Sequence, residues 1–403
     1  MRFPEFSGEW EYKSLGEIGE SLIGLTYSPS DVVKEGGTIV FRSSNIQDGV
    51  IDYGDLVRVS KKIKDSIITR DGDLLICARN GSTRLIGKNA LLKKSDEGQT
   101  FGAFMMVFRS IDNRFVHQLL STKAYSTQVS ENLGARINQI TTRNFAEYTF
   151  GMPQTSEEKE KIGTFLELIN DRIETQSKII EELTTLRSAL YDSMFCSPGQ
   201  EMPKFRIQSF SGKWQLCQLN DICSRKSIKN KDNLYSRVLT IAAQHGLVDQ
   251  ESFFKKRIAS ENLESYLCLE KGDFAYNKSY SSDYPWGAVK RLSNFDKGII
   301  SPLYICFTPK PEVVDPDYLA HYFESTKWHS GISEISGEGA RNHGLLNMSV
   351  IDYFNTCHRI PGLDEQKAIA RRLNAIAHKL QTEQEYLELL NRQKDCFLKQ
   401  MFI

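Results

Sequence analysis

Chemistry on nucleotides needs particular side chains at particular spacings, and the sequence holds several fragments of such arrangements. Asp283, Tyr284, Pro285 and Trp286 approach the Asn/Asp, two prolines and aromatic that hold an extruded base for methylation, but one proline is missing. A turn or a nucleic-acid-facing loop is the better reading. Gly81 and Gly87 precede Lys88, yet five residues separate the glycines and Asn89 stands where a Ser or Thr should follow, so a phosphate cradle would be mis-sized. Gly337 and Gly339 lack the third glycine and following helix of a dinucleotide-binding turn. The 7 histidines form no His-x-x-x-His or His-Glu-x-x-His pair, and the 8 cysteines form no Cys-x-x-Cys pair. Neither catalysis nor a tightly held metal is expected, and the cysteines read as reduced thiols, mostly in cores.

Other residues suit reading a duplex, where Arg recognises guanine, Asn or Gln recognises adenine, and phosphate contacts hold the reader in place. Residues 74–95 contain no acid but carry Arg79, Asn80, Ser82, Arg84 and Lys88, then Lys93 and Lys94. A second stretch holds Lys278, Tyr280 and Ser281, then Trp286, Lys290 and Arg291, whose aromatics add stacking. Further polar tips stand at Arg42, Ser44, Asn45 and Gln47, matched by Gln244 and His245. Arg136, Asn138 and Gln139 are matched by Arg341, Asn342 and His343. All are candidate DNA contacts; the alternative for each is a solvated loop between strands. Net charge is +0, so any DNA contact must come from such local patches.

The elements that must position these residues come in two copies. Phe6, Ser7, Gly8, Glu9, Trp10 returns as Phe210, Ser211, Gly212, Lys213, Trp214, with Leu15 and Ile18 answered by Leu219 and Ile222. Gly49 to Asp52 answers to Gly246 to Asp249, Gly72-Asp73 to Gly272-Asp273, and Gly134-Ala135-Arg136 to Gly339-Ala340-Arg341. Each copy then has a proline, Pro153 or Pro361, followed by a long helical pattern. The first carries Ile162, Leu166, Ile169, Ile173, Ile180, Leu183, Leu190 and Met194; the second carries Ile369, Leu373, Ile376, Leu380, Leu387, Leu390, Phe397 and Met401 in the same register. Gln176 and Arg187 interrupt the first seam where Glu383 and Lys394 interrupt the second. Steps of four and three keep one seam facing a partner helix, so the two helices are expected to pair as an antiparallel coiled coil about a pseudo-twofold axis. The 40-residue stretch 156–195 holds nine acids against five bases, which disfavours phosphate and suits protein partners.

A chain of 403 residues suits two ordinary domains, and 40% hydrophobic with 25% charged residues describes a folded protein. Short β-branched and aromatic runs at 37–41, 73–77, 105–108 and 303–307 predict mixed α/β (α+β) domains with twisted sheets. The expected division is a globular domain over 1–152, a long helix over 153–198, a linker and second globular domain over 199–360, and a second long helix over 361–403. No apolar run is long enough to span a membrane and no signal peptide is evident, which predicts a cytoplasmic protein.

With these features the sequence resembles, over essentially its whole length, the specificity subunits of Type I restriction-modification systems. That family alternates target-recognition domains with long helices that open on a proline, Glu-Gln and an isoleucine. Pro361, Glu365, Gln366 and Ile369 fit; in Pro153, Glu158, Lys159 and Ile162 the glutamine is replaced. The resemblance implies a non-catalytic subunit that binds a bipartite, asymmetric double-stranded DNA target. It implies two methyltransferase subunits modifying adenine N6 with S-adenosylmethionine, and restriction subunits using ATP and Mg, with no cofactor in this chain. Residues 162–194 would span roughly 50 Å and set the separation of the two readers at about one DNA turn.

Overall fold

The computed structural model describes residues 1–47, 49–133, 138–256, 259, 262–336 and 344–402. Two compact units account for the chain, Met1–Ser177 with Glu385–Ile403, and Lys178–Gln384. Their boundaries fall inside the two long helices, Ser156–Met194 and Leu363–Met401, of 39 residues each. The cuts differ from the sequence-based ones because the two halves of each helix pack into different cores.

In the first unit the run Leu74–Cys77 is wholly buried, as are the first four residues of Met105–Arg109. Continuous apolar runs of this length suit central strands covered on both faces. They pair antiparallel, Leu74 opposite Phe108, in a sheet ordered Glu20–Ile23, Met105–Arg109, Leu74–Cys77, Asn89–Leu91. A second sheet runs Thr100–Phe101, Thr38–Phe41, Val57–Val59, Val32–Val33, its first pair parallel. The two sheets enclose a core that includes Phe41, Leu75, Phe101 and Val107.

The second unit repeats the first sheet as Cys223–Arg225, Ile305–Pro309, Phe274–Asn277, Ala288–Arg291, with Phe274 opposite Phe307. Its other sheet is different: Gly246–Asp249, Val238–Ala242, Lys297–Ile300, Leu267–Glu270. The parallel pair is kept, between Val238–Ala242 and Lys297–Ile300, but a hairpin replaces the other flank.

The repeated Phe-Ser-Gly-x-Trp segments turn out to be latches onto the helix starts. In the second unit Arg206 donates to both carboxylate oxygens of Glu365, at 2.8 and 2.7 Å, while Trp214 Nε1 donates to Glu365 at 3.3 Å. Two further guanidinium protons go to the carbonyls of Ser211 and Gly212. In the first unit Arg2, Trp10, Glu158, Ser7 and Gly8 repeat every one of these bonds. Gly8 and Gly212 sit at φ of 93° and 90°, a conformation costly for any residue with a Cβ, which explains the repeated glycine.

The replaced glutamine is compensated locally. Gln366 donates to the carbonyls of Pro361 and Val313 and accepts from the Asp315 amide at 2.8 Å. In the first copy Lys159 Nζ instead reaches the Asp112 carboxylate at 2.6 Å, with both side chains nearly buried. Asp112 and Asp315 are equivalent residues, each preceding a short helix, Asn113–Leu119 or Pro316–Glu324.

Every seam residue is buried or half-buried. Within the first unit Phe165 packs edge-on against Phe397 at 5.0 Å, and the Arg172 guanidinium lies over Tyr386 at 5.4 Å, so the helices run antiparallel. Ile162, Leu166 and Met401 join one core there, and Phe402 closes it against Trp10 and Phe115. Within the second unit Met194, Ile369 and Leu373 share a core, and Phe195 packs on Tyr318 and Tyr322. There, His321 bridges the helices, with Nδ1 3.0 Å from the Tyr191 hydroxyl and Nε2 2.7 Å from Asn374 Oδ1.

Candidate nucleic-acid interface

In the first unit three sequence-distant segments converge on a groove of about 1430 Å³. Arg42, Ser43 and Ser44 line it, as do Arg79, Asn80 and Gly81, then Asn138 and Gln139, beside residues 25–27 and 102–105. The backbone sets Arg79 in place: its N–H and that of Ala78 both donate to Phe104 O, and Arg79 pairs with Gln139 in an isolated bridge. Its side chain is exposed and makes no ion pair among the described residues; the guanidinium lies 5.1 Å from the Phe104 ring centre. Asn80 donates to Ser43 Oγ at 3.0 Å and accepts from the Ser82 amide at 3.0 Å, tying two groove segments together. Arg42 pairs with Asp55 at 2.7 Å on an open surface, where such a pair is worth little and is easily exchanged for a phosphate.

Of the remaining candidates, Ser82 and Arg84 lie exposed at a 3-10 turn outside the groove lining, and Lys88 reaches Gln47 Oε1 at 3.2 Å. Asn45 requires a correction. It is fully buried, its amide donates to the carbonyls of Asp52 and Asp55, and its Oδ1 accepts from the Arg42 amide. With all its groups engaged inside, it holds the Arg42 loop and does not reach a ligand. Arg136 lies outside the described residues.

In the second unit Gln244 is exposed at the tip of the hairpin joining Val238–Ala242 to Gly246–Asp249. Lys278, Tyr280 and Ser281 lie on a loop closed on itself by Ser281 N to Tyr284 O and pinned by Tyr280 N to Gly344 O and Leu346 N to Lys278 O. Tyr280 and Ser281 are exposed, Lys278 half-buried. Arg341, Asn342 and His343 lie outside the described residues. Sequence reasoning missed residues 25–27 and Phe104 in the first unit, because Leu25, Tyr27 and Phe104 lie near strand ends where large apolar and aromatic residues read as core; the glycine at 102 was the available signal.

Titratable groups elsewhere are held inert by burial. The Cys77 thiol is pushed up to about 11, and Cys223 and Cys306 to about 12, by desolvation. Burial lowers His117 and His358 to about 4, so both are neutral near pH 7. Among the described residues no cluster of His, Cys, Asp or Glu has metal-binding geometry.

The Type I restriction modification DNA specificity domain matches residues 7–185. The chain is 24% identical to the Type I restriction enzyme EcoKI specificity subunit of Escherichia coli (strain K12), over 91% of this chain and 82% of that protein. The similarity to Type I specificity subunits therefore extends beyond that domain through nearly the whole chain. A 22% match to the MjaVIII specificity subunit of Methanocaldococcus jannaschii spans 98% of this chain and 91% of the relative. The chain's fold matches that of the M. genitalium Type I S subunit at a TM-score of 0.64 and 15% identity, covering 100% and 99% of the two chains. A chain from a structure of type I restriction-modification complex assembly and conformational transition matches at 0.52 and 14% identity, covering 98% of each. The matched domain is a DNA specificity domain and the relatives are specificity subunits. No helix among the chain's described residues is long and apolar enough to cross a membrane.

Proposed function

We propose that this chain is a Type I specificity subunit, non-catalytic itself, that reads a bipartite, asymmetric DNA target with two unlike recognition domains, residues 1–152 and the domain within 199–360. It acts in the cytoplasm, and it seats two methyltransferase subunits and the restriction subunits on that target. One observation carries the reading: a repeated frame presents different side chains at equivalent places. Arg79 and Ser279 are each held by an isolated bridge, to Gln139 and to Leu345, so Arg79-Asn80 in one copy becomes Ser279-Tyr280 in the other. Two copies of one reader would need a palindrome; two unlike readers do not.

S-adenosylmethionine, ATP and Mg act in the partner subunits on this reading, with adenine N6 as the methylated position. The long helices, at roughly 1.5 Å per residue, act as the ruler between half-sites. Mapping methylated adenines in the host genome with and without this gene tests the proposal. A gapped, asymmetric motif should vanish with the gene, and exchanging residues 1–152 for another recognition domain should change one half-site only. Loss of no motif, or a change in both half-sites, would overturn it.

A further inference from the structure

The tight turn that leads into the second central strand is closed by the same backbone bond in both units. Met105 N donates to Gly102 O at 2.8 Å, and Tyr304 N donates to Ser301 O at 3.1 Å. The strand pairings give the same equivalence, since Phe108 faces Leu74 and Phe307 faces Phe274. Phe104 and Leu303 therefore occupy one position of the repeat. Both are large and apolar, and both are exposed, at 59% and 66%. A single exposed apolar side chain is ordinary on a protein surface. The same exposure at the same place in two copies that otherwise differ in their loops is not explained by folding, because neither side chain joins a core.

The tips are stiff. Gly102 N donates to Phe41 O and Ala103 N to Leu25 O, both at 2.9 Å, while Phe104 O takes two amide protons. Gly24 packs so closely that a Cβ there would lie 2.2 Å from Gly102 O. In the second unit Pro302, inside the turn, has its own φ fixed by its ring and restricts Ser301 before it. Phe104 stands on the groove with the Arg79 guanidinium, which makes no ion pair among the described residues, at its ring face. A rigid apolar point beside an exposed cation fits a nucleic-acid duplex, where the cation takes a phosphate or base edge and the apolar point enters the stack.

We propose that Phe104 and Leu303 are wedges, one per recognition domain, each inserting at a base step of its half-site and unstacking it. This rests on the reading that these faces meet DNA. The test uses the full chain with its methyltransferase subunits, without S-adenosylmethionine, on a duplex carrying the mapped target. 2-Aminopurine is placed in turn at each position except the methylatable adenine and its neighbours. Fluorescence should rise several-fold at one step in each half-site. Phe104→Ala should abolish the rise in one half-site only, and Leu303→Ala in the other, each weakening binding on the order of tenfold. Phe104→Leu should restore the signal, and the thermal midpoints of all variants should match the parent. Salt-dependent binding with 2-aminopurine quenched throughout, or brightening that survives both alanine variants, would overturn the wedges while leaving DNA reading intact. Absence of salt-dependent duplex binding by the unaltered protein would overturn both.

Discussion

The two Arg–Glu–Trp latches permit an internally controlled stability experiment. Glu365 is buried and accepts three hydrogen bonds, two from Arg206 and one from Trp214 Nε1, and the Arg206 side chain is only 17% exposed. Glu365→Ala would leave a largely buried guanidinium without its counter-charge and an indole N–H without an acceptor. Removing one partner of such a pair costs about 3–5 kcal/mol, most of it the uncompensated charge and not the lost attraction. Replacing both partners, as Arg206→Met with Glu365→Leu, should recover a large part of that loss. The first copy has the same three residues, but Arg2 is 30% exposed and Trp10 is only half-buried, so water can resolvate the orphaned groups. Glu158→Ala should therefore cost clearly less than Glu365→Ala. Urea unfolding of the full chain, followed by tryptophan fluorescence and far-UV circular dichroism, reads both. A Glu365→Ala loss below about 1 kcal/mol, or equal losses at the two sites, would show that burial does not set the strength of the latch.

Three further outcomes follow from the same contacts. His358 is buried, with Nδ1 3.0 Å from the Tyr322 hydroxyl and Nε2 2.8 Å from Thr356 Oγ1, whose own proton goes to Tyr353 O. Thr356 thus accepts from Nε2, and the neutral ring is satisfied as it stands. With its pKa lowered from 6.5 to about 4 by burial, the folded protein binds fewer protons than the unfolded chain between those values. This stability is present above pH 6.5 and declines as pH falls towards 4, by up to about 3 kcal/mol; a pH series of unfolding midpoints should be flatter for His358→Gln. Leu373→Asp, at a fully buried seam position, should cost about 4 kcal/mol or more, whereas Leu389→Asp, 57% exposed on the same helix, should change the denaturation midpoint little. Arg79→Ala should weaken binding on the order of tenfold, sensed only by duplexes altered in one half-site, and equal loss against alterations in both halves would remove Arg79 from direct readout.

The sequence made the frame legible because frames are built from periodic and repeated signals. The heptad steps from Ile162 to Met194 and from Ile369 to Met401 predicted a paired seam, and all sixteen positions are buried or half-buried. Gly8-x-Trp10 and Gly212-x-Trp214 marked equivalent points, although their purpose as latches needed the distant Glu158 and Glu365, which no local pattern connects. Lys159 looked like damage to the motif until Asp112 was found opposite it. The interface was harder to read because polarity is ambiguous. Asn45 and Asn80 are the same residue type at loop tips, but one is spent on internal carbonyls and the other borders the groove. Phe104 was hidden by the opposite ambiguity, an apolar side chain beside a strand that does not join the core.

This separation has a physical basis. The latch onto each helix supplies charge pairing from residues kept in both copies, and the two central strands and the seam supply buried area from positions that stay largely apolar in both. The bridges at Arg79 and Ser279 use only backbone groups, so they hold the loop whatever side chain it carries. An exposed side chain on such a loop contributes within about ±0.5 kcal/mol to stability and can be exchanged freely. Asn45 cannot be exchanged in that way, because its replacement would leave the carbonyls of Asp52 and Asp55 without their donor inside the fold. Variation in what is read is therefore confined to positions such as 79, 279 and 280, whose backbone is fixed and whose side chains the fold does not use.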